Sequence, residues 1–556
     1  MKAPPFSLTI DNVTSHSPYS DPEAQTPSLR PANGLQASRN ISRSRRQKRM
    51  KRRARGTPSS SPVVCTQQST NMYNKDCSKS HRHRIAIHAL PDGVLLEIFH
   101  FCKMDHDAYG FTFRPILEWR TLIHVCRRWR YIVFTSPHRL DLQLLCTHGT
   151  PVRKNLGFWP PLPLIIDYYT DWDADSGKSL TPTYEEDDIM AALERPGRVR
   201  YVGISATSSL LGKMAAAIHE PFPILTHLWL SSKDGNVAVL PETFFGGYTP
   251  LLRVAHFEGI SFPSFPAFLL SATDLVELEL LNISDTDYVS SEAIVAGLTA
   301  LVRLEILSIG FQSPTAFLDR RYQPPPTRVV FPSLSTFTFR GTIEYLENLL
   351  IQFDTPLLKN LTIVYFNQLS TFYIPQLSHF IRRTESLDAS GFKHARVEFG
   401  ESYVFVNLSE GQEEPQTLEC HFTLQISCQW LDWQIFHMAH VLGQSPAVLS
   451  RVDNLFIDTF DLRPGWRADE YIEPSEWLDL LCPFSGVTTL RVSKQLAGHV
   501  ALALEDISKD PQKVAEMSPA PHSLFLEGQP EASVKRYIEA RKISGHPVNG
   551  FKNTQE

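Results

Sequence analysis

Leu225-Thr226-His227-Leu228-Trp229-Leu230 and Leu275-Val276-Glu277-Leu278-Glu279-Leu280 share one pattern: an apolar residue, two free positions, then two apolar residues separated by one. The same pattern recurs as Val199/Val202/Ile204, Leu252/Ala255/Phe257, Leu301/Leu304/Ile306, Leu334/Phe337/Phe339 and Leu358/Leu361/Ile363. Successive starts lie 26, 27, 23, 26, 33 and 24 residues apart. A strand turns alternate side chains to opposite faces, so the last two apolar residues of each unit point into a shared core and the residue between them points out. The outward positions are Tyr201, His227, Trp229, His256, Glu277, Glu279, Arg303, Glu305, Thr336, Thr338, Asn360 and Thr362.

The rest of each interval supplies a return segment that covers the other side of the shared core. Thr183-Tyr184-Glu185-Glu186 reads as a capping box with acids in the first helical turn, opening a helix to about Glu194. The acidic run Glu185 to Asp188 is therefore read as helix chemistry and not as a metal site. A repeat of 20 to 29 residues with this pattern is the signature of a leucine-rich repeat, in which each unit is stable only when stacked on neighbours. No unit has a clear polar-ladder Asn or Cys, so the array is a degenerate version with returns of irregular length. After Leu361 the strand-like segments Arg396 to Phe399, Tyr403 to Asn407 and Leu418 to Ser427 crowd together, which suggests a local antiparallel excursion. Periodicity returns in Val452/Leu455/Ile457 and Val487/Leu490/Val492, and a strand at Leu524 with a helix from about Glu531 to Lys542 closes the array.

The chain has 556 residues and a net charge of −5, but ten basic residues and no acid fall between Arg39 and Arg55. The other residues carry 44 basic against 59 acidic side chains, or −15. An acidic body argues against a nucleic-acid-binding fold. Residues 1–84 are rich in Ser, Pro, Asn, Gln and Arg with little apolar surface to offset ordering entropy, so they read as a disordered tail. Its run 39–55 has the charge density of a nuclear-import signal. The first residues lack the apolar stretch of a signal peptide, and no segment approaches the 18 apolar residues that cross a bilayer, so a cytoplasmic or nuclear protein without a membrane partner is expected. Eight cysteines without a C-x-x-C pair indicate neither a zinc site nor a disulfide scaffold. His81, His83 and His88 lie in or beside the basic tail without a thiol or carboxylate to complete a metal site. No phosphate-loop, dinucleotide, serine-hydrolase or zinc-protease motif is present, and no catalytic residue, metal or cofactor is assigned.

Between the tail and the repeats, Leu90, Val94, Leu95, Ile98 and Phe99 recur at helical spacing, with Pro91 suited to a first turn. Leu117, Thr121, Leu122, Val125, Cys126 and Trp129 form a second such stripe. Leu90-Pro91 followed by Val94-Leu95-x-x-Ile98-Phe99, and then Val125-Cys126-Arg127-Arg128-Trp129, resembles an F-box. Gly93 stands where that family usually has Glu, and the segment Lys103 to Arg120 is longer than its common linker. The closing segments Trp477-Leu478-Asp479-Leu480-Leu481-Cys482-Pro483-Phe484 and Ser544-Gly545-His546-Pro547 resemble the C-terminal part of a large set of F-box proteins from mushroom-forming fungi.

The resemblance implies an α/β protein in five parts: tail 1–84, a small all-α F-box 85–145, a connector with a first strand-helix unit 146–197, a leucine-rich-repeat-like solenoid 198–495 and a capping unit 496–556. It implies a non-catalytic adaptor of a Skp/cullin/F-box (SCF) ubiquitin ligase. Leu90, Pro91, Val94, Leu95, Ile98, Phe99, Leu122, Val125, Cys126 and Trp129 would dock on the Skp linker subunit, and the outward strand positions would hold a protein substrate of unknown identity. The alternative expectation is a leucine-rich-repeat binding scaffold outside the ubiquitin system.

Overall fold

Each apolar triplet builds one strand, and the strands stack side by side in one sheet. The structure, a computed structural model, describes residues 87–104, 118–147, 152–169, 172–173, 178–179, 183–284, 290–312, 328–366, 373–389, 391–411, 421–460, 472–510, 521–529, 532 and 534–552. These lie in a unit spanning Ile85–Glu556. The basic run 39–55, His81, His83 and the segment 105–117 fall outside the described residues, as does the side chain of His88.

The architecture is mixed α/β with a 16-stranded, mostly parallel sheet among the described residues. In chain order its strands are β1 Leu144–Thr147, β2 Leu164–Tyr169, β3 Val199–Ala206, β4 His227–Ser232, β5 Val254–Glu258, β6 Glu277–Ile283, β7 Ile306–Phe311 and β8 Thr336–Gly341. They continue as β9 Asn360–Tyr365, β10 His394–Phe399, β11 Tyr403–Ser409, β12 Phe422–Ser427, β13 Asn454–Thr459, β14 Thr489–Val492, β15 Ser523–Leu526 and β16 Gly550–Lys552. The sheet thus reaches beyond 198–495 at both ends, because β1, β2, β15 and β16 pair in parallel with the repeat strands. The expected core positions, among them Leu228, Leu230, Leu278, Leu280, Phe337 and Phe339, are buried in a single apolar cluster that runs from Leu95 to Tyr537.

One repeat frame differs from the sequence reading. Leu278 pairs with Leu307 and Leu280 with Ile309, and these pair in turn with Phe337 and Phe339. The unit is therefore Leu304/Leu307/Ile309, three residues later than Leu301/Leu304/Ile306. Both frames read Leu, Leu, Ile, so apolarity is satisfied either way. Interstrand hydrogen bonding decides between them. The shift also evens the spacing, replacing intervals of 26 and 33 residues by 29 and 30.

The crowded segments after Leu361 do form an antiparallel meander, with β10 against β11 and β11 against β12. Its strands enter the sheet in reverse, in the order β9-β12-β11-β10-β13, so that β9 and β12 pair in parallel, as do β10 and β13.

The helices, in chain order, begin with α1 Asp92–Met104, α2 Glu118–Val125, α3 Arg127–Thr135, α4 Val152–Phe158, α5 Thr183–Leu193 and α6 Ser208–Ala217. Then come α7 Ser291–Leu298, α8 Ile343–Gln352, α9 Pro375–Arg383, α10 Leu431–Gly443, α11 Pro474–Leu481, α12 Lys494–Ile507 and α13 Lys535–Ile543. The helix expected from Thr183 is present as α5, and its Asp188 accepts a hydrogen bond from the backbone N–H of Arg153 on α4 at 3.0 Å. Thr207 and Ser290 cap α6 and α7 through their hydroxyl oxygens, as residues with short polar side chains do.

Neighbouring helices cap one another too. The Glu347 carboxylate of α8 accepts from the N–H groups of Gln376 and Leu377 at 2.7 and 3.0 Å, at the start of α9. Arg383 of α9 donates back to the carbonyls of Leu350 and Phe353 at the end of α8. The crossover helix α10 is pinned by fully buried Gln434, whose amide donates to the carbonyls of Gly400 and Cys428 at 2.9 and 2.7 Å.

Candidate functional site

Two surfaces collect the residues singled out from sequence. The first is the helical module α1–α3. Its second stripe was expected to be one helix, but Cys126 interrupts it with extended backbone (φ −159°, ψ 170°) and caps α3, the thiol accepting from the N–H of Trp129 at 3.4 Å. Leu95, Leu96 and Phe99 are buried in the common apolar cluster. The Phe99 ring lies 4.8 Å from that of Trp129. Leu95 and Phe99, expected among the docking residues, thus lie buried within this chain. The physical reason is that a helix packed on one side has an inner and an outer face, both apolar here, and the 3.6 period alone does not tell them apart.

Arg128 ties α3 to the start of α1, donating to the Asp92 carboxylate at 2.5 and 2.8 Å and to the Leu90 carbonyl at 2.6 Å. Trp119, Phe134 and Trp159 pack edge to face, and the Trp119 indole donates to the Gln143 carbonyl at 3.2 Å just ahead of β1. Leu90, Ile98, Leu122 and Trp129 are half-buried, whereas Pro91, Val94, Val125 and Cys126 are exposed. Val94, half-buried Ile98 and Phe101 stand at i, i+4 and i+7 on the outer face of α1, and Phe101 is 66% exposed. Tyr131 on α3 is exposed as well. Phe101 and Tyr131 were missed in sequence because they lie outside the two motifs.

The second surface is the outward face of the sheet. Register places Gly203, Trp229, His256, Glu279 and Ser308 in one row across β3 to β7. Trp229, 37% exposed, stacks on His256 with ring centroids 3.7 Å apart. His256 is buried, and its Nδ1 is hydrogen-bonded to the Glu279 carboxylate. That bond, above all, holds Glu279 below its ordinary carboxylate range. Glu277, two residues back on the same face, is raised instead, first by burial and then by the charge of Glu279. Two carboxylates with opposed shifts therefore stand beside one flat pair of rings.

Tyr201 is buried, not open, which corrects its reading as an exposed position. Its ring lies over Gly203, where an added Cβ would fall 2.7 Å from the Tyr201 hydroxyl oxygen. Burial, then Tyr169 and Asp167, push the Tyr201 phenol up. His227 is exposed at its outer edge; partial desolvation of its ring, and then Arg200 and Arg253, lower it. Arg303 and Glu305 leave the set altogether, because the three-residue shift puts Ile306 and Ser308 in their places. Arg303 lies ahead of β7 and pairs with Asp274 at 2.8 Å. Thr336, Thr338, Asn360 and Thr362 are half-buried on the outward side of β8 and β9.

The far half of the same face carries groups that the sequence reading passed over. Arg396 pairs with Asp458 at 2.8 Å and with Glu398. The guanidinium of Arg491 lies between the rings of Phe456 and Phe525, 5.3 and 4.8 Å from their centroids. Leu455-Phe456-Ile457 and Leu524-Phe525-Leu526 are unbroken apolar triplets, so composition hides the outward ring. Alternation along each strand, counted from the core leucines, was the signal that could have found it.

Chemically, the face offers stacking rings, carboxylates and one ring-clamped arginine on an open surface, the equipment of recognition. No helix among the described residues is long and apolar enough to cross a membrane. No protein-family model matches the chain, and no curated protein is similar to it.

Proposed function

We propose that the chain is the substrate-recognition adaptor of an SCF-type ubiquitin ligase. On this reading the module α1–α3 is an F-box that docks on the Skp linker subunit, and the stacked strand-helix units are a degenerate leucine-rich-repeat solenoid whose outward face holds a protein substrate. The observation that carries it is the two-faced module. Leu95, Leu96 and Phe99 are buried in the common apolar cluster with half-buried Trp129 against it, yet Val94, Phe101, Val125 and Tyr131 stay open to solvent. Exposed apolar side chains grouped on one small module mark an interaction site. Repeat starts between 23 and 30 residues apart support the solenoid. The adaptor itself performs no chemistry; holding a substrate's lysines near a charged ubiquitin-conjugating enzyme raises their effective concentration. Import through the run 39–55 would place it in the nucleus as well as the cytoplasm.

The test is co-expression of the full chain with the Skp subunit of the same cell, followed by size-exclusion chromatography. The wild type should form a stable complex, and Val94→Asp/Val125→Asp should lose it with an unchanged melting temperature. A folded wild-type chain that does not bind would instead favour a binding scaffold outside the ubiquitin system.

A further inference from the structure

The crossover helix α10 turns a second, chemically different surface outward. Its inner side, with Leu431, Ile435, Met438, Val441 and Leu442, is buried in the core. Its outer side carries Trp430 at the N-cap, Trp433, Phe436 and His440. The last three stand at i, i+3 and i+7, which places them on one stripe along the helix. Trp430, Trp433 and Phe436 are 53%, 43% and 50% exposed. Such exposure is costly for three large rings in succession, and Trp and Phe are the residues that anchor protein interfaces. The stripe is also ordered. Phe436 stacks on His440, and buried His437 lies beneath both Trp433 and Phe436, with centroids 5.6 and 5.4 Å away.

Carboxylates gather near the start of this helix. Asp432 belongs to α10, while Glu473, Glu476 and Asp479 lie on or beside α11, which packs against it. One oxygen of Glu476, Oε2, is buried without a hydrogen-bond partner. Burial raises Glu476, and the charges of Asp432, Glu473 and Asp479 raise it further. A buried carboxylate oxygen gains most from a charge-assisted donor, and exposed indole and phenyl faces attract the same cations.

From these two features together we propose that the α10 stripe is a docking surface for a protein segment bearing arginine or lysine beside apolar residues. The rings take the apolar side chains and the cation faces, and the carboxylates take the charge. An anionic membrane surface is disfavoured by the same carboxylates. This surface lies on the helical side of the sheet and is independent of the proposed adaptor role.

The test uses the full chain and a displayed library of random 12-residue peptides, with peptides that also bind Trp433→Ser/Phe436→Ser removed. Peptides that survive this subtraction should be rich in Arg or Lys. Their affinity should fall about tenfold or more in Trp433→Ser/Phe436→Ser, and comparably in Glu473→Gln/Glu476→Gln/Asp479→Asn, which keeps the rings and guards against loss of fold in the first variant. The proposal is overturned if no peptide separates wild type from the ring variant, or if the surviving peptides lack basic residues. It is equally overturned if the stripe binds phosphatidylcholine vesicles, or if the ring variant converts a dimeric wild type into a monomer.

Discussion

Replacing Leu95 by alanine tests whether α1 has the two faces described. Leu95 is fully buried, in the same apolar cluster as Phe99 and Trp129. A buried Leu→Ala change costs about 2.7 to 5 kcal/mol, the lost transfer energy plus the cavity. Val94, one residue earlier, is 44% exposed, and Val94→Ala should cost within about 0.5 kcal/mol. On the proposed solenoid reading each unit touches mainly its neighbours, so the loss should open the module locally and not the whole sheet. Hydrogen exchange reads this directly. At about 3 kcal/mol, amides of α1–α3 should exchange on the order of a hundredfold faster in Leu95→Ala, since each 1.4 kcal/mol is a factor of ten. Those of β8 and β9 should stay within about threefold, and Val94→Ala should leave both regions unchanged. Unaltered protection of α1 in Leu95→Ala would refute the assignment of its inner face. A uniform rise that includes β8 and β9 would refute the local coupling.

Other outcomes follow from single groups. Glu347 is pushed up to about 7 by burial, despite the two N–H groups it accepts from. Because the folded state then holds the proton that the unfolded chain releases near the ordinary 4.5, stability from this site falls as pH rises from about 4.5 to about 7, by at most about 3 kcal/mol; Glu347→Gln should flatten that slope in thermal melts taken across the window. Gln434→Ala leaves the carbonyls of Gly400 and Cys428 buried and unpaired, so a loss of about 2 to 4 kcal/mol is expected in urea unfolding, and a loss under 1 kcal/mol would contradict the pinning role. At Gly486 an added Cβ would overlap the Ser450 carbonyl oxygen, so Gly486→Ala should lower the melting temperature and the soluble yield, while Gly411→Ala, where a Cβ meets nothing, should not.

The strand-helix alternation, the buried positions of most repeats, helix α5 and the existence of an antiparallel meander could all be read from residues alone. Each is a local property, since alternation of two and spacing of three and four are written along a short stretch of chain. Three matters were not legible there. Leu301, Leu304 and Leu307 offer two frames of equal apolarity, and only hydrogen bonds to β6 and β8 choose between them. The meander could insert in either order, and the packing of α10 across it, fixed through Gln434, accompanies the reversed one. Helix α1 shows apolar residues on two sides, and only the approach of α3, with Trp129 against Phe99 and Arg128 on Asp92, makes one side core and the other surface. What the sequence determined by itself was the kind of element and its period; which strand neighbours which, and which face meets water, came from contacts between residues far apart in the chain, whose pairing no local pattern encodes.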